Sequence, residues 1–120
     1  MKHAFALALM AASLTVGVSG AQAHPKLLFA NPAAGARVRA PAQLRLGFSE
    51  ALIGRFSQLS LADAAGHKAP VGPSSLSRDH KQLIAPLAGR LRPGLYRVSW
   101  HAVSTDSHRV QGGYAFTVTR

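Results

Sequence analysis

Three residues of this 120-residue chain have side chains of types that can bind metal ions: His24 near its start, and Asp106 and His108 near its end. His24 follows Ala21-Gln22-Ala23, a small-x-small run of the kind at which an export signal is cut. Cleavage after Ala23 gives His24 a free α-amine. The amine and the ring Nδ1 of one residue can close a chelate on a single ion. Such a nitrogen pair suits Cu(II), which prefers tetragonal N/O coordination and heads the divalent affinity order. Pro25 comes next and has no backbone N–H for copper to displace, so the chelate stops at amine plus imidazole. The other donors must come from elsewhere in the chain. Asp106 and His108 are two residues apart in Ser104-Thr105-Asp106-Ser107-His108, and in an extended segment they project to the same side. A D-x-H spacing is common and by itself reads as a turn with an exposed histidine. Paired with a histidine at an expected mature start, it reads as the carboxylate and imidazole that complete three nitrogens and one oxygen around copper.

The first 23 residues have the composition of a cleavable leader: Lys2 and His3, then an uncharged apolar run, then Ala21-Gln22-Ala23. The apolar run falls short of the roughly 20 residues a spanning helix needs. Residues 24–120 then form one domain. They contain no cysteine, so an exported domain of this kind holds together by packing alone, which fits a bacterial periplasm. They contain no methionine either, because Met1 and Met10 both lie in the leader. Without Lys2, 13 basic and 4 acidic residues remain, a net charge of +9. A nucleic-acid interface needs basic residues clustered or interleaved with aromatics. Here the arginines are scattered along the chain, and export also argues against nucleic acid.

The elements that must position these residues read as strands. Leu44, Leu46 and Phe48 alternate with Arg45 and Gly47; Leu59 and Leu61 repeat the pattern. In 94–104, Tyr96, Val98, Trp100 and Ala102 face one way and Arg97, Ser99 and His101 the other. Tyr114, Phe116 and Val118 alternate in 113–119. Residues 26–30 and 81–87 give weaker strand signals. Period-two alternation bounded by Gly, Pro, Asn and Ser marks half-buried strands. Six or seven of them in under 100 residues make an antiparallel β-sandwich, with Trp100, Phe48, Tyr96 and Phe116 as its main filling. Residues 51–56 read as a short helical turn or a loop. The segment carrying Asp106 and His108 joins the two strongest strands, where a rigid frame holds a functional loop.

His24-Pro25 behind a leader, Phe48-Ser49-Glu50, and W-x-A-V-S-x-D-x-H at 100–108 together resemble the CopC family of periplasmic copper-binding proteins, and the likeness covers nearly all of 24–120. The resemblance implies a single Ig-like, Greek-key sandwich of about seven strands. It implies one Cu(II) ion held by His24, Asp106 and His108, with Glu50 hydrogen-bonded to a ligating ring or to the terminal amine and orienting it. It implies a monomer that sequesters copper or delivers it to an inner-membrane transporter of the CopD type. Some members carry a second, Cu(I) site in a methionine-rich loop. Soft Cu(I) wants sulfur, which residues 24–120 lack, so that site is not expected. His67 and His80 read as surface loop histidines.

Two other classes compete with a copper carrier. A histidine that chelates copper through amine and ring also resembles the brace of lytic polysaccharide monooxygenases, which oxidise glycans. Those proteins are generally larger and use a flat, often aromatic face, whereas the aromatics here fall on inward strand positions. A plain adhesion or interaction sandwich would bind no metal at all.

Overall fold

The computed structural model describes residues 24–120; the leader expected over residues 1–23 and the cut after Ala23 lie outside the described residues. The chain forms β1 (Leu27–Asn31), β2 (Arg37–Val38), β3 (Gln43–Phe48), a 3-10 turn (Gly54–Phe56), β4 (Gln58–Asp63), β5 (Lys68–Ala69), β6 (Ser75–Leu76), β7 (Gln82–Pro86), β8 (Gly94–Val103) and β9 (Arg109–Val118). The six longer strands are those that the alternation marks. The turn settles the choice left open for 51–56. Two sheets result, in the orders β1-β3-β7-β6 and β2-β9-β8-β4-β5. Every pairing between these strands is antiparallel except the short one of β2 with β9.

The inward residues of both sheets meet in one core. Leu44, Leu46, Phe48, Leu83 and Ala85 from one sheet pack against Leu59, Leu61, Tyr96, Val98, Ala102, Phe116 and Val118 from the other, with Leu52 closing one end. Full burial of a Leu, Val or Phe side chain is worth about 1.5–3 kcal/mol, so this set holds the sandwich without a cross-link. Trp100 departs from expectation: it is only partly buried. Its ring meets Phe48 edge-to-face with centroids 5.1 Å apart. It also covers Gly112, where an added Cβ would lie 2.6 Å from the indole. The indole therefore fills the space a side chain at 112 would take. Among the described residues no helix is long and apolar enough to cross a membrane.

Strand direction decides where the site lies. β8 and β9, ten residues each, form a hairpin whose tip is 104–108. β1 begins where β3 ends, since Leu27 pairs with Phe48. The segment after β3 turns back onto the tip: Leu52 bridges Ser104, Ile53 N–H donates to Val103 O at 2.8 Å, and Thr105 N–H donates to Ala51 O at 3.0 Å. Residues 24–26, 49–53 and 104–108 thus converge at one end of the sandwich.

Candidate metal centre

The tip of the hairpin is a closed turn rather than the extended segment the spacing suggested. Ser104 N–H donates to His108 O at 2.9 Å, Ser107 N–H donates to Ser104 O at 2.9 Å, and Ser107 has a positive φ of 71°. Asp106 and His108 come together because the chain turns between them. His108 Nδ1 lies 3.0 Å from Asp106 Oδ1.

Ser104 holds this turn from beneath. It is 1% exposed. Its hydroxyl donates to Asp106 Oδ1 and accepts from His108 N–H at 3.2 Å. The Ser104 hydrogen bond, and after it His108, hold the Asp106 carboxyl below its ordinary value of 3.8. Both side-chain contacts use Oδ1. The sequence reading missed Ser104. Serine is common in turns, and only its burial shows that this one organises the loop.

His24 approaches from the other side. Its ring meets that of His108 edge-on, with centroids 4.7 Å apart and planes at 73°. The two rings are therefore neighbours at this end of the sandwich. The segment behind His24 is fixed. Pro25 is buried, Lys26 N–H donates to Ser49 Oγ at 2.8 Å, and Ser49 N–H donates to Lys26 O at 2.9 Å. Ser49, also missed, fastens the start of the described chain to the end of β3. Half-buried Glu50 follows it, beside Ala51, whose carbonyl is bonded to the hairpin tip.

The structure thus brings His24, His108 and Asp106 to one place, with Glu50 in the adjoining segment. Among the described residues no group of three or more His, Cys, Asp or Glu side chains is placed so that it could hold a metal ion. The donor set that the sequence suggests adds a main-chain nitrogen to three side chains, which here are neighbours and not yet in ligating positions. In the 120-residue chain that nitrogen is the amide joining Ala23 to His24, which is a poor metal ligand. His67 and His80 are exposed, as expected of loop histidines, and His101 is half-buried in the outer row Gln58–His101–Gln111. The aromatics are not all inward: Phe29 is 46% and Phe56 49% exposed. Phe29 lies over Gly47, and Phe56 sits under the Arg55 guanidinium at 4.8 Å.

Known proteins resemble this chain over most of its length. Residues 27–119 match the CopC domain family. The chain is 40% identical over 116 residues to protein YobA of Escherichia coli K12, covering 95% of this chain and 92% of that one. The crystal structure of PcoC, a methionine-rich copper resistance protein from Escherichia coli, superposes with a TM-score of 0.75 at 34% identity, covering 81% of this chain and 100% of PcoC. A more distant relative, the copper transport protein CutJ of Bacillus subtilis strain 168, is 26% identical over 98 residues, which are 80% of this chain and 18% of CutJ. The sandwich, the residues gathered at its end and the extent of these matches lead to one assignment: the chain belongs to the CopC family of copper resistance proteins.

Proposed function

We propose that the protein is a periplasmic Cu(II) carrier that sequesters copper or passes it to an inner-membrane transporter of the CopD type. The observation that carries this reading is the approach of the His24 and His108 rings at 4.7 Å beside the Ser104-held Asp106. Cleavage after Ala23 would convert the His24 amide into an amine, a far better donor. Amine and ring of His24, the His108 ring and the Asp106 carboxylate then supply three nitrogens and one oxygen, the mixed set that Cu(II) favours over softer ions. Glu50 orients the His24 side of the centre through a hydrogen bond. Function is capture and release, with no covalent step, so the protein is read as a binding protein and not as an enzyme.

The absence of sulfur from residues 24–120 supports one Cu(II) site without a companion Cu(I) site. PcoC, by contrast, is described as methionine-rich. Delivery to a transporter draws support from CutJ, where a segment like this chain occupies 18% of a larger copper transport protein.

The test is an electron paramagnetic resonance spectrum of the Cu(II)-loaded protein beginning at His24. A tetragonal signal with three nitrogen couplings is expected. A spectrum with a single nitrogen, or mass spectrometry showing the exported chain starting at another residue, would overturn the proposal. Release of oxidised products from a glycan, with reductant present, would move the protein to the monooxygenase class.

A further inference from the structure

The ten arginines that look scattered in the sequence are sorted by the fold. The metal-centre end holds three of the four acidic residues, Glu50, Asp79 and Asp106, among its cations. The opposite end gathers Arg37, Arg39, Arg90, Arg92 and Arg120, all exposed. Arg37 pairs with Thr117 at the end of β9, and Thr119 N–H donates to Val38 O at 2.7 Å, which sets Arg120 beside the Arg37–Arg39 segment. Leu87 N–H donates to Ala42 O at 2.9 Å, which draws the connection carrying Arg90 and Arg92 alongside. The Tyr96 hydroxyl donates to Arg92 O at 2.9 Å and fixes that connection against the core.

The fourth acid, Asp63, reaches this end and sets one negative charge against the five arginines. Its Oδ1 accepts from the backbone of Ala65 and His67 at 3.0 and 2.9 Å. Among the described residues no arginine is ion-paired with a carboxylate. The same end has apolar surface. A hollow of about 400 Å³ lies between Ala40, Pro41, Ala42, Leu87 and Arg90, and Leu95 nearby is 37% exposed.

We propose that this end docks on an anionic phospholipid bilayer. Guanidinium groups bind phosphate oxygens in a bidentate fashion and desolvate more readily than ammonium groups. Basic residues around apolar surface are the composition that settles at a headgroup boundary. A surface on which five arginines outnumber one carboxylate, spread over separate loops, matches a wide sheet of one charge better than the mixed charges of a folded protein. The metal centre lies at the other end, so a docked molecule presents His24 and His108 to solvent. Docking therefore suits collection of copper, and delivery requires the molecule to lift off or turn. This proposal does not depend on the copper reading.

The test is co-sedimentation of the exported protein, purified from the cell envelope, with vesicles of phosphatidylglycerol and phosphatidylcholine in equal parts, and with phosphatidylcholine alone. Binding is expected only to the anionic vesicles, and it should weaken steeply as salt shortens the screening length from about 8 Å towards 3 Å. Each basic residue near such a surface is worth roughly fivefold, so R90Q/R92Q/R120Q should bind on the order of 100-fold more weakly. R55Q/R78Q/R109Q loses the same charge at the metal-centre end and should change binding only a few-fold. Circular dichroism of both variants should match the parent, and their Cu(II) spectra should be unchanged. Equal loss in the two variants, equal binding to both vesicles, or capture of an acidic protein by the arginine end without vesicle binding would overturn the proposal.

Discussion

His108 enters the metal centre from the closed tip of the β8–β9 hairpin, whereas His24 enters it from the start of the described chain. On the His108 side, main-chain bonds shut the turn and a buried serine holds both the carboxylate and the backbone of the ring's residue. On the His24 side, two bonds between Lys26 and Ser49 hold the segment, and His24 itself is exposed. The hairpin side is complete as soon as the chain folds. Under the proposed cut after Ala23, the His24 side acquires its second donor only on processing. The proposal thus divides the site into a rigid half that sets geometry and a half that processing completes.

The strongest way to break that comparison is to spoil the His24 side alone. One extra residue before His24 moves the amine away and leaves the sandwich intact. Cu(II) affinity, measured by competition titration, should fall by more than the roughly 10–100-fold that loss of an outer hydrogen-bond partner costs. The thermal midpoint of the metal-free protein should not move.

Next comes the rigid half. Ser104→Ala removes the hydroxyl that holds Asp106 and His108. Affinity should fall by about 10–100-fold. Unlike the extension, this change should also destabilise the metal-free fold, by about 1–3 kcal/mol for buried groups left without a partner. Ser104→Thr should restore part of both losses. Glu50→Gln tests the proposed orienting contact and should weaken binding by about tenfold, the lower end of the same range. Ser49→Ala releases the side-chain bond to Lys26 while keeping the main-chain one. It should cost about 0.5–1.5 kcal/mol of stability in chemical denaturation, with a loss of affinity no larger than that energy allows.

The smallest effect is the carboxylate's share of the pH dependence. Ser104 and then His108 hold Asp106 below its ordinary 3.8. A depressed carboxyl keeps its folded-state interactions above the ordinary value and loses them as pH falls through the depressed one. Between neutral and mildly acid pH Asp106 therefore stays ionised. Copper affinity should still drop over that interval, because protons compete for the nitrogen donors. In Asp106→Asn, affinity should be lower throughout, but the slope against pH should match the parent. A flatter slope in the variant would show that the carboxylate titrates there.

Alternation made the long strands legible because their two faces differ. Leu44, Leu46, Leu59, Leu61 and Val98 point inward and are all buried. β2, β5 and β6 were not legible: two residues show no period, and their partners alone define them. β9 begins at Arg109 rather than 113, because residues 109–112 take their register from 100–103 across the hairpin. Glycine and polar residues there hide the pattern. At the candidate site, residue type singled out His24, Asp106 and His108, since few side chains bind metals. Their closeness, and the parts that Ser104 and Ser49 play, depend on contacts between segments far apart in the chain. No spacing along the sequence encodes such contacts.

Pro25, enclosed directly behind His24, bears on how long the centre lasts in use. A ligand at the very start of a chain is exposed to exopeptidases, which trim one residue at a time. Such enzymes grip the extended main chain by its N–H groups and need space around the bond they cut. The bond following His24 offers no N–H, and the ring beyond it is shielded by the protein. A chain beginning at His24, as proposed, would be guarded against erosion at the residue that gives two of the proposed donors.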